Sequence, residues 1–359
     1  MRREQNRYIF APQRKYRDRR HGFRNTMLFL LPMLLLTLLL SNFIVSHRVR
    51  LEKLPLTVLN LPEDLEGFSI LHLSDLHGME YGDHQKSIET VLKGARYSCV
   101  VMTGDMLGPD HDLTGLLDLV ALMPSDTPKY YIPGDTDGSW LDSFAHGNLS
   151  VYTDWAEAMQ EAGITLLDLP VAETRGKGRI WFVPEELYTL NLDNMEQVYQ
   201  SQIRDMDARV TTLTADDAAI RRVAEYELER IQQLRELRNT FQAADMQVVL
   251  THTPLSEAYV GETYAWSGKE DYFSMRYASL ILAGHYNGGQ WRLPMAGPIY
   301  VPELGWFPED REVQGLSYPQ GIPQYISPGL GSAPQYTWEP GRLFNPPVMT
   351  LITLTRKAV

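Results

Sequence analysis

Twenty consecutive residues, Thr26 to Val45, carry no charge. Water is a poor environment for such a run. At about 1.5 Å per residue, a helix of that length matches the roughly 30 Å apolar core of a bilayer. The alternative is a cleaved signal peptide, whose apolar segment is usually about 7–15 residues long and ends in a small-x-small site. This run is longer and leads straight into Ser46-His47-Arg48. Residues 26–45 are therefore expected to stay as a transmembrane anchor in contact with membrane lipid. Arg14, Lys15, Arg17, Arg19, Arg20 and Arg24 precede the run, while Arg48, Arg50 and Lys53 beyond it are partly offset by Glu52. Positive charge is retained on the cytoplasmic side. A single-pass protein of the cell membrane is expected, with its N-terminus in the cytoplasm and its body outside. Arg19-Arg20 ahead of Phe23 matches a twin-arginine export signal only loosely.

Charge divides the chain at the same place. Residues 1–25 form a basic segment of nine Lys/Arg against Glu4 and Asp18, whereas the remainder holds 24 basic and 43 acidic residues. Phosphate neutralisation needs clustered positive charge on a working face, so no nucleic-acid partner is expected. An acidic body suits a bound cation better. Residues 51–359 are long enough for one large domain or two ordinary ones. The only cysteine, Cys99, sits in the apolar run Cys99-Val100-Val101-Met102. That excludes a disulfide framework and a cysteine-built zinc site, and a buried position is expected for it.

Short β-rich runs recur through the body at 56–59, 69–73, 99–103, 130–132, 180–183, 247–250, 280–282, 325–327 and 348–354. Helical patterns fall between them, as at 85–95 and 155–162. This alternation predicts an α/β domain with a buried mixed sheet or sandwich and helices outside. Residues 190–245 interrupt the rhythm. Thr214-Ala215-Asp216-Asp217 reads as a capping box, and Ile220, Ala224, Leu228, Ile231 and Leu234 mark one apolar helix face. Met195, Val198, Ile203, Met206 and Val210 mark an earlier helix. The segment is expected to be a helical insertion packed on the domain; a lid or an arm for a protein partner is the alternative.

Several strands end in polar clusters, where α/β sheets gather functional groups. They are Ser74-Asp75-Leu76-His77-Gly78, Thr103-Gly104-Asp105, Pro133-Gly134-Asp135-Thr136-Asp137-Gly138, Thr251-His252-Thr253-Pro254, and Gly284-His285-Tyr286-Asn287-Gly288-Gly289-Gln290. Asp75 and His77, two apart, project to one side of an extended chain and can grip one ion. Singly, each cluster reads as a turn. Five in succession at strand ends are more than turns.

In this order the clusters resemble the calcineurin-like metallophosphoesterase superfamily, where Asp-x-His, Gly-Asp, Gly-Asn-His-Asp/Glu, a single His and Gly-His-x-His follow one another. The chain is most similar to a membrane-associated or exported branch whose last motif reads Gly-His-Thr-His-Gly-Gly-Gln. Gly288-Gly289-Gln290, the ending Tyr325 to Gly331, Arg342 and Pro347 fit that branch. The resemblance implies a calcineurin-like β-sandwich flanked by helices and two divalent transition-metal ions. One ion would be held by Asp75, His77, Asp105 and Asn287. The second would share Asp105 and add Asp135, His252 and His285. This donor mixture suits Mn, Fe, Zn or Ni. Two ions about 3.5–4 Å apart can generate a nucleophile from water and clamp a phosphoryl oxygen. Hydrolysis of a phosphomonoester or phosphodiester follows, and an envelope or lipid-linked phosphodiester is the substrate class implied for an anchored enzyme.

Three positions depart from the family pattern. Asp135 replaces an asparagine and adds a negative charge. Asn287 replaces a histidine with a weaker oxygen donor. Thr136 replaces the histidine that contacts the substrate phosphate and assists the leaving group, a role typically worth about 10²–10⁴-fold. Asp137, which in the family orients that histidine, is retained. His111 is the candidate substitute, with His146 and Tyr286 behind it. The chain can thus be an active phosphohydrolase with an adjusted site, a pseudoenzyme binding metal or a phospholigand, or an anchored interaction protein working through its insertion. Trp140, Trp266, Trp291, Trp306 and Trp338 are expected mainly in core packing, with a lipid or sugar groove as the alternative.

Overall fold

The uncharged run lies inside one helix, α1 (Arg19–His47). Its Thr26–His47 portion, 22 residues with mean hydropathy 2.4, is long and apolar enough to cross a membrane. The structure, a computed structural model, describes residues 19–144, 150–209, 214–266, 271–332 and 341–356. The basic residues before Arg19, together with His146, Val210 and Trp338, lie outside the described residues. Contacts divide the chain into one unit ending at Ile44 and a second running from Val45 to Val359.

The second unit holds two six-stranded mixed sheets. Strands are numbered along the chain. In the first sheet the order is β1 (Arg50–Thr57), β16 (Val348–Thr355), β2 (Ser69–Leu73), β3 (Cys99–Thr103), β4 (Lys129–Ile132), β5 (Thr165–Leu166). From β2 to β5 the pairing is parallel, and β16 runs antiparallel to β2. The second sheet follows the order β14 (Gly315–Ser317), β15 (Gln324–Ile326), β9 (Ala278–Ala283), β8 (Met246–Leu250), β7 (Gly178–Pro184), β6 (Val171–Arg175), with β15, β9, β8 and β7 mutually parallel.

Alternation along the strands builds two apolar layers on the first sheet. Ile70, Val101 and Tyr130 meet Phe182, Val248, Leu280 and Tyr325 of the second sheet in a shared core that also buries Cys99. Leu71, Leu73, Val100 and Met102 face the other way, onto α2 (Lys86–Leu92), α3 (Thr114–Ala121) and α4 (Asp154–Glu161). The second sheet is covered in turn by α5 (Leu192–Asp207), α6 (Ala215–Arg238) and α7 (Glu257–Trp266). The result is a β-sandwich between two helical layers, the calcineurin-like arrangement.

Some expectations shift. The first strand begins at Arg50 and holds Pro55, which is tolerated because β1 is an edge strand and its missing donor breaks no ladder. The insertion is a helical hairpin, and its Thr214–Asp217 capping box is formed. On α5 the packed face is Leu192, Met195, Tyr199 and Met206, leaving Val198 exposed. Trp266 and Trp306, expected in the core, are exposed, while Trp140 and Trp155 pack on the outer helical layer. The short hairpins β10 (Arg292–Leu293) with β11 (Gly297–Pro298) and β12 (Tyr300–Val301) with β13 (Gly305–Trp306) carry no expected strand.

Candidate metal centre

Parallel pairing sends the C-terminal ends of β2, β3 and β4 to one edge of the first sheet, and those of β8 and β9 to one edge of the second. The candidate ligands occupy the loops that leave those ends. Asp75, His77, Asp105, His285 and Asn287 all have positive φ, between 47° and 79°. Non-glycine residues avoid this region unless surrounding structure imposes it, and such residues concentrate at functional sites. The loops also approach closely. A Cβ on Gly104 would lie 2.6 Å from Gly134 Cα and from His252 Nδ1, so only glycine fits there.

Asp105 is central. Its Oδ1 accepts from the Thr136 backbone N–H and hydroxyl, both at 2.9 Å. Its Oδ2 lies 3.4 Å from His252 Nε2 and 3.7 Å from His77 Nε2. Burial alone would raise this carboxyl, but the hydrogen bond and charge of His252, the Thr136 N–H and the charge of His77 outweigh it and hold Asp105 far below the usual carboxylate range. Asp75 is fully buried and burial raises it, against the pull of His252 and His77. Its Oδ1 accepts from the His285 backbone N–H at 2.9 Å. Asp135 Oδ2 lies 3.1 Å from His285 Nδ1, which in turn is 3.3 Å from His252 Nε2. Two groups of donor atoms result, Asp75–Asp105–His252 and Asp135–His252–His285, each within 4.8 Å of one another.

The surrounding residues fix these donors. His252 Nδ1 donates to the Thr103 carbonyl at 2.8 Å, which leaves Nε2 facing Asp105. Burial would lower His252, but the Asp105 hydrogen bond and the charges of Asp75 and Asp105 push it up to about 9. Asp137 has no histidine to orient. It accepts from the backbone N–H groups of Leu107, Gly134 and Met106 at 2.9, 2.9 and 3.3 Å, and so ties the β3 loop to the β4 loop. Arg342, wholly buried and lowered to about 10 by desolvation, donates to the carbonyls of Asn287, Pro328 and Gly331. Asn345 Nδ2 adds a second bond to the Asn287 carbonyl at 2.7 Å.

Three side-chain atoms test whether a cation fits. Among the described residues, Asp75 Oδ2, His77 Nε2 and Asn287 Oδ1 are buried and have no hydrogen-bond partner. Leaving such atoms unpaired is costly unless a ligand satisfies them. A Cβ on Gly329 would sit 3.1 Å from Asp75 Oδ2 and 3.4 Å from Asn287 Oδ1, so those two atoms border one small space. All three offer lone pairs, and the donor set suits a divalent cation.

Thr136 thus points into the site through its bonds to Asp105. The His111 ring stacks on Trp155 with centroids 5.7 Å apart, and its Nε2 borders Gly138 at the end of the loop that carries Thr136. Tyr286 packs on the His285 ring at 4.9 Å, and its hydroxyl is raised first by burial and then by the charges of Glu303 and Glu312. Glu303, in no motif, brings Oε1 to 3.7 Å from His285 Nε2. Arg342 has one sequence sign: it is the only charged residue between Pro340 and Thr355. A cavity of 360 Å³ adjoins His252 and is lined by Pro133, Trp140, Glu185, Glu227 and Arg230.

A family model for calcineurin-like phosphoesterases matches residues 68–287, more than half of the chain, from the start of β2 to the last candidate ligand. The chain belongs to the calcineurin-like phosphoesterase family. Its hydrolytic, metal-dependent class follows from that membership. No curated protein matches the chain in sequence. Among solved structures it is similar to a phosphopantetheinyl hydrolase from Mycobacterium tuberculosis, at 15% identity, covering 73% of this chain and 89% of that one with a TM-score of 0.34.

Proposed function

We propose that this chain is a membrane-anchored phosphohydrolase that cleaves an envelope or lipid-linked phosphodiester at a modified two-cation centre. The observation that carries the reading is that buried donors stand orphaned around Asp105: Asp75 Oδ2 and Asn287 Oδ1 border one small space, and His77 Nε2 lies 3.7 Å from Asp105 Oδ2. Asp75, His77, Asp105 and Asn287 would hold one divalent ion, and Asp105, Asp135, His252 and His285 the other. When bound, such ions activate water and neutralise phosphoryl charge.

The chain's own groups divide the remaining work. Thr136 fixes Asp105 Oδ1 and leaves Oδ2 for ligation. The Thr103 carbonyl holds His252 in the tautomer whose Nε2 faces the centre. The 360 Å³ cavity beside His252 offers room for the group esterified to phosphate, with the Trp140 side chain and the Glu227–Arg230 pair in its walls. No proton donor stands at position 136, which favours esters whose leaving group departs without protonation. The basic residues before α1 favour a cytoplasmic N-terminus and an extracytoplasmic body.

Thr136 also supports a second reading, a metal-loaded protein that binds a phosphorylated ligand without turnover. Elemental analysis of protein purified without chelators, paired with hydrolysis of an activated aryl phosphodiester, separates the two. Metal with turnover, both lost in Asp105→Ala, supports the enzyme. Metal without turnover across Mn, Fe, Zn and Ni leaves the binder, and no metal after reconstitution overturns both.

A further inference from the structure

We propose that the hairpins β10–β11 and β12–β13 are a bilayer-inserting rim at the mouth of the metal centre. Each strand is two residues long, so neither hairpin can bury its own tip. Leu293, Met295, Tyr300, Leu304, Trp306 and Phe307 are all exposed, Trp306 at 71% and Phe307 at 64%. These aromatics are ordered as a cluster. Tyr300 and Trp306 are cross-strand partners with ring centroids 5.0 Å apart, and Phe307 lies 6.2 Å from Trp306. Residues 291–307 hold two charges, Arg292 at the base of the first hairpin and Glu303, half-exposed, in the turn of the second. Arg292 pairs with Asp310 and donates to the Gly288 carbonyl. Glu303 faces His285, and this contact sets the rim beside the candidate ligands.

The occupant that fits is the interfacial layer of a phospholipid bilayer. Tryptophan and tyrosine rings favour that depth. The apolar groups stand on two short hairpins, Leu293 and Met295 on one and the Tyr300–Trp306–Phe307 cluster with Leu304 on the other, whereas a protein partner buries one broad continuous patch. The same chain carries a helix with the length and composition of a span. The inference rests on the membrane-anchoring reading and is independent of catalysis. Its consequence is that a lipid-borne phosphoester reaches the centre with its acyl chains still in the bilayer. Because the body is acidic, insertion is apolar in origin and insensitive to salt.

Tryptophan quenching tests this on the full chain reconstituted into phosphatidylcholine vesicles containing lipid brominated on its acyl chains. None of the seven tryptophans lies in α1, so quenching reports the body alone. The emission lost in Trp306→Phe isolates the Trp306 signal, and its exposure means that the substitution leaves the core intact. The expected result is a blue-shifted Trp306 signal, quenched by brominated lipid equally at low and high salt, and returned to the aqueous position in a Leu304→Ser/Phe307→Ser variant. Protein that floats with the vesicles while Trp306 is quenched only by aqueous iodide overturns the rim and leaves the anchor standing. Failure to float overturns the anchor and the rim together.

Discussion

Thr136 decides what chemistry the centre can perform. Its hydroxyl and backbone N–H both donate to Asp105 Oδ1, so it orients a candidate ligand and has no proton to spare at neutral pH. Thr136→His in metal-loaded protein should raise hydrolysis of poor-leaving-group esters by about 10²-fold, with a smaller change for activated aryl esters. Equal rates for both ester classes, with metal content unchanged, would show that position 136 does not face the leaving group. A second residue governs acid stability. His72 is wholly buried between the sheets, its Nε2 2.9 Å from Thr103 Oγ1, and desolvation lowers it to about 3 from an ordinary 6.5. Between those values the unfolded chain binds the extra proton and the folded chain does not. Stability is therefore unaffected by His72 above about pH 6.5 and falls by roughly 1.4 kcal/mol per unit as pH drops toward 3. His72→Gln should flatten that slope between pH 6.5 and 5 in urea titrations; an unchanged slope would assign the acid sensitivity elsewhere. The candidate ligands were legible in sequence because they cluster locally after apolar strands. His72 and Glu303 were not, since each acts on a partner 31 or 18 residues distant, and the contact that Arg342 makes with Asn287, 55 residues away, was hidden for the same reason.

Elements were legible in proportion to their length. The α5–α6 hairpin shows its capping box in sequence, and the box is formed; the expected apolar period holds in part, since Ile231 and Leu234 pack while Ile220 and Val198 are exposed. Its polar attachment was hidden, because a charged residue on an apolar stripe looks like a surface residue until its partner is known. Glu227 and Arg230 of α6 are such residues, with side chains only 7% and 11% exposed. Arg230 also donates from Nε to the Asp168 carbonyl at 2.8 Å, and Tyr226 bonds Asp168 and Tyr152. This face fixes the insertion to the body beside the 360 Å³ cavity, which argues against a freely moving arm. Arg230→Met should destabilise the body by about 3–5 kcal/mol, because it leaves the Glu227 carboxylate buried without its partner. The double variant Arg230→Met/Glu227→Gln should recover part of that loss. A single variant within about 0.5 kcal/mol of the parent in chemical denaturation would mean that the pair is solvated and the insertion loosely held. The two-residue strands β10 to β13 have no period to read, and their exposed rings came as a departure from the core packing expected of Trp306.

At the scale of the whole body, the candidate ligands come from both sheets. Asp75, Asp105 and Asp135 follow β2, β3 and β4 of one sheet, and His252, His285 and Asn287 follow β8 and β9 of the other. The shared core of Ile70, Val101, Phe182 and Val248 joins the sheets through apolar burial, while the loops at their ends bring together the carboxylates Asp75 and Asp105, both buried. Without a cation, those loops hold like charges and orphaned donors at one place, so the edge that carries the site is also the edge with most to gain from a ligand. Residues from both sheets, Asp75 and Asp105 on one side and His252 on the other, would hold such an ion. Any ion that binds the folded body alone stabilises it, by about 2.7 kcal/mol at a hundredfold excess over its dissociation constant. For a domain of this size that corresponds to a rise in Tm of about 4 °C. Adding Mn or Zn to chelator-treated protein should therefore raise Tm in a single transition that moves both sheets together, followed by tryptophan emission and far-UV circular dichroism. Asp105→Ala should abolish the rise, because that carboxylate lies 3.4 Å from His252, the residue common to both donor groups, and 3.7 Å from His77. Val198→Ser, on the exposed side of α5, should leave it intact. A rise of equal size in Asp105→Ala would place the stabilising ion elsewhere on the acidic surface and remove the cation from the centre of this fold.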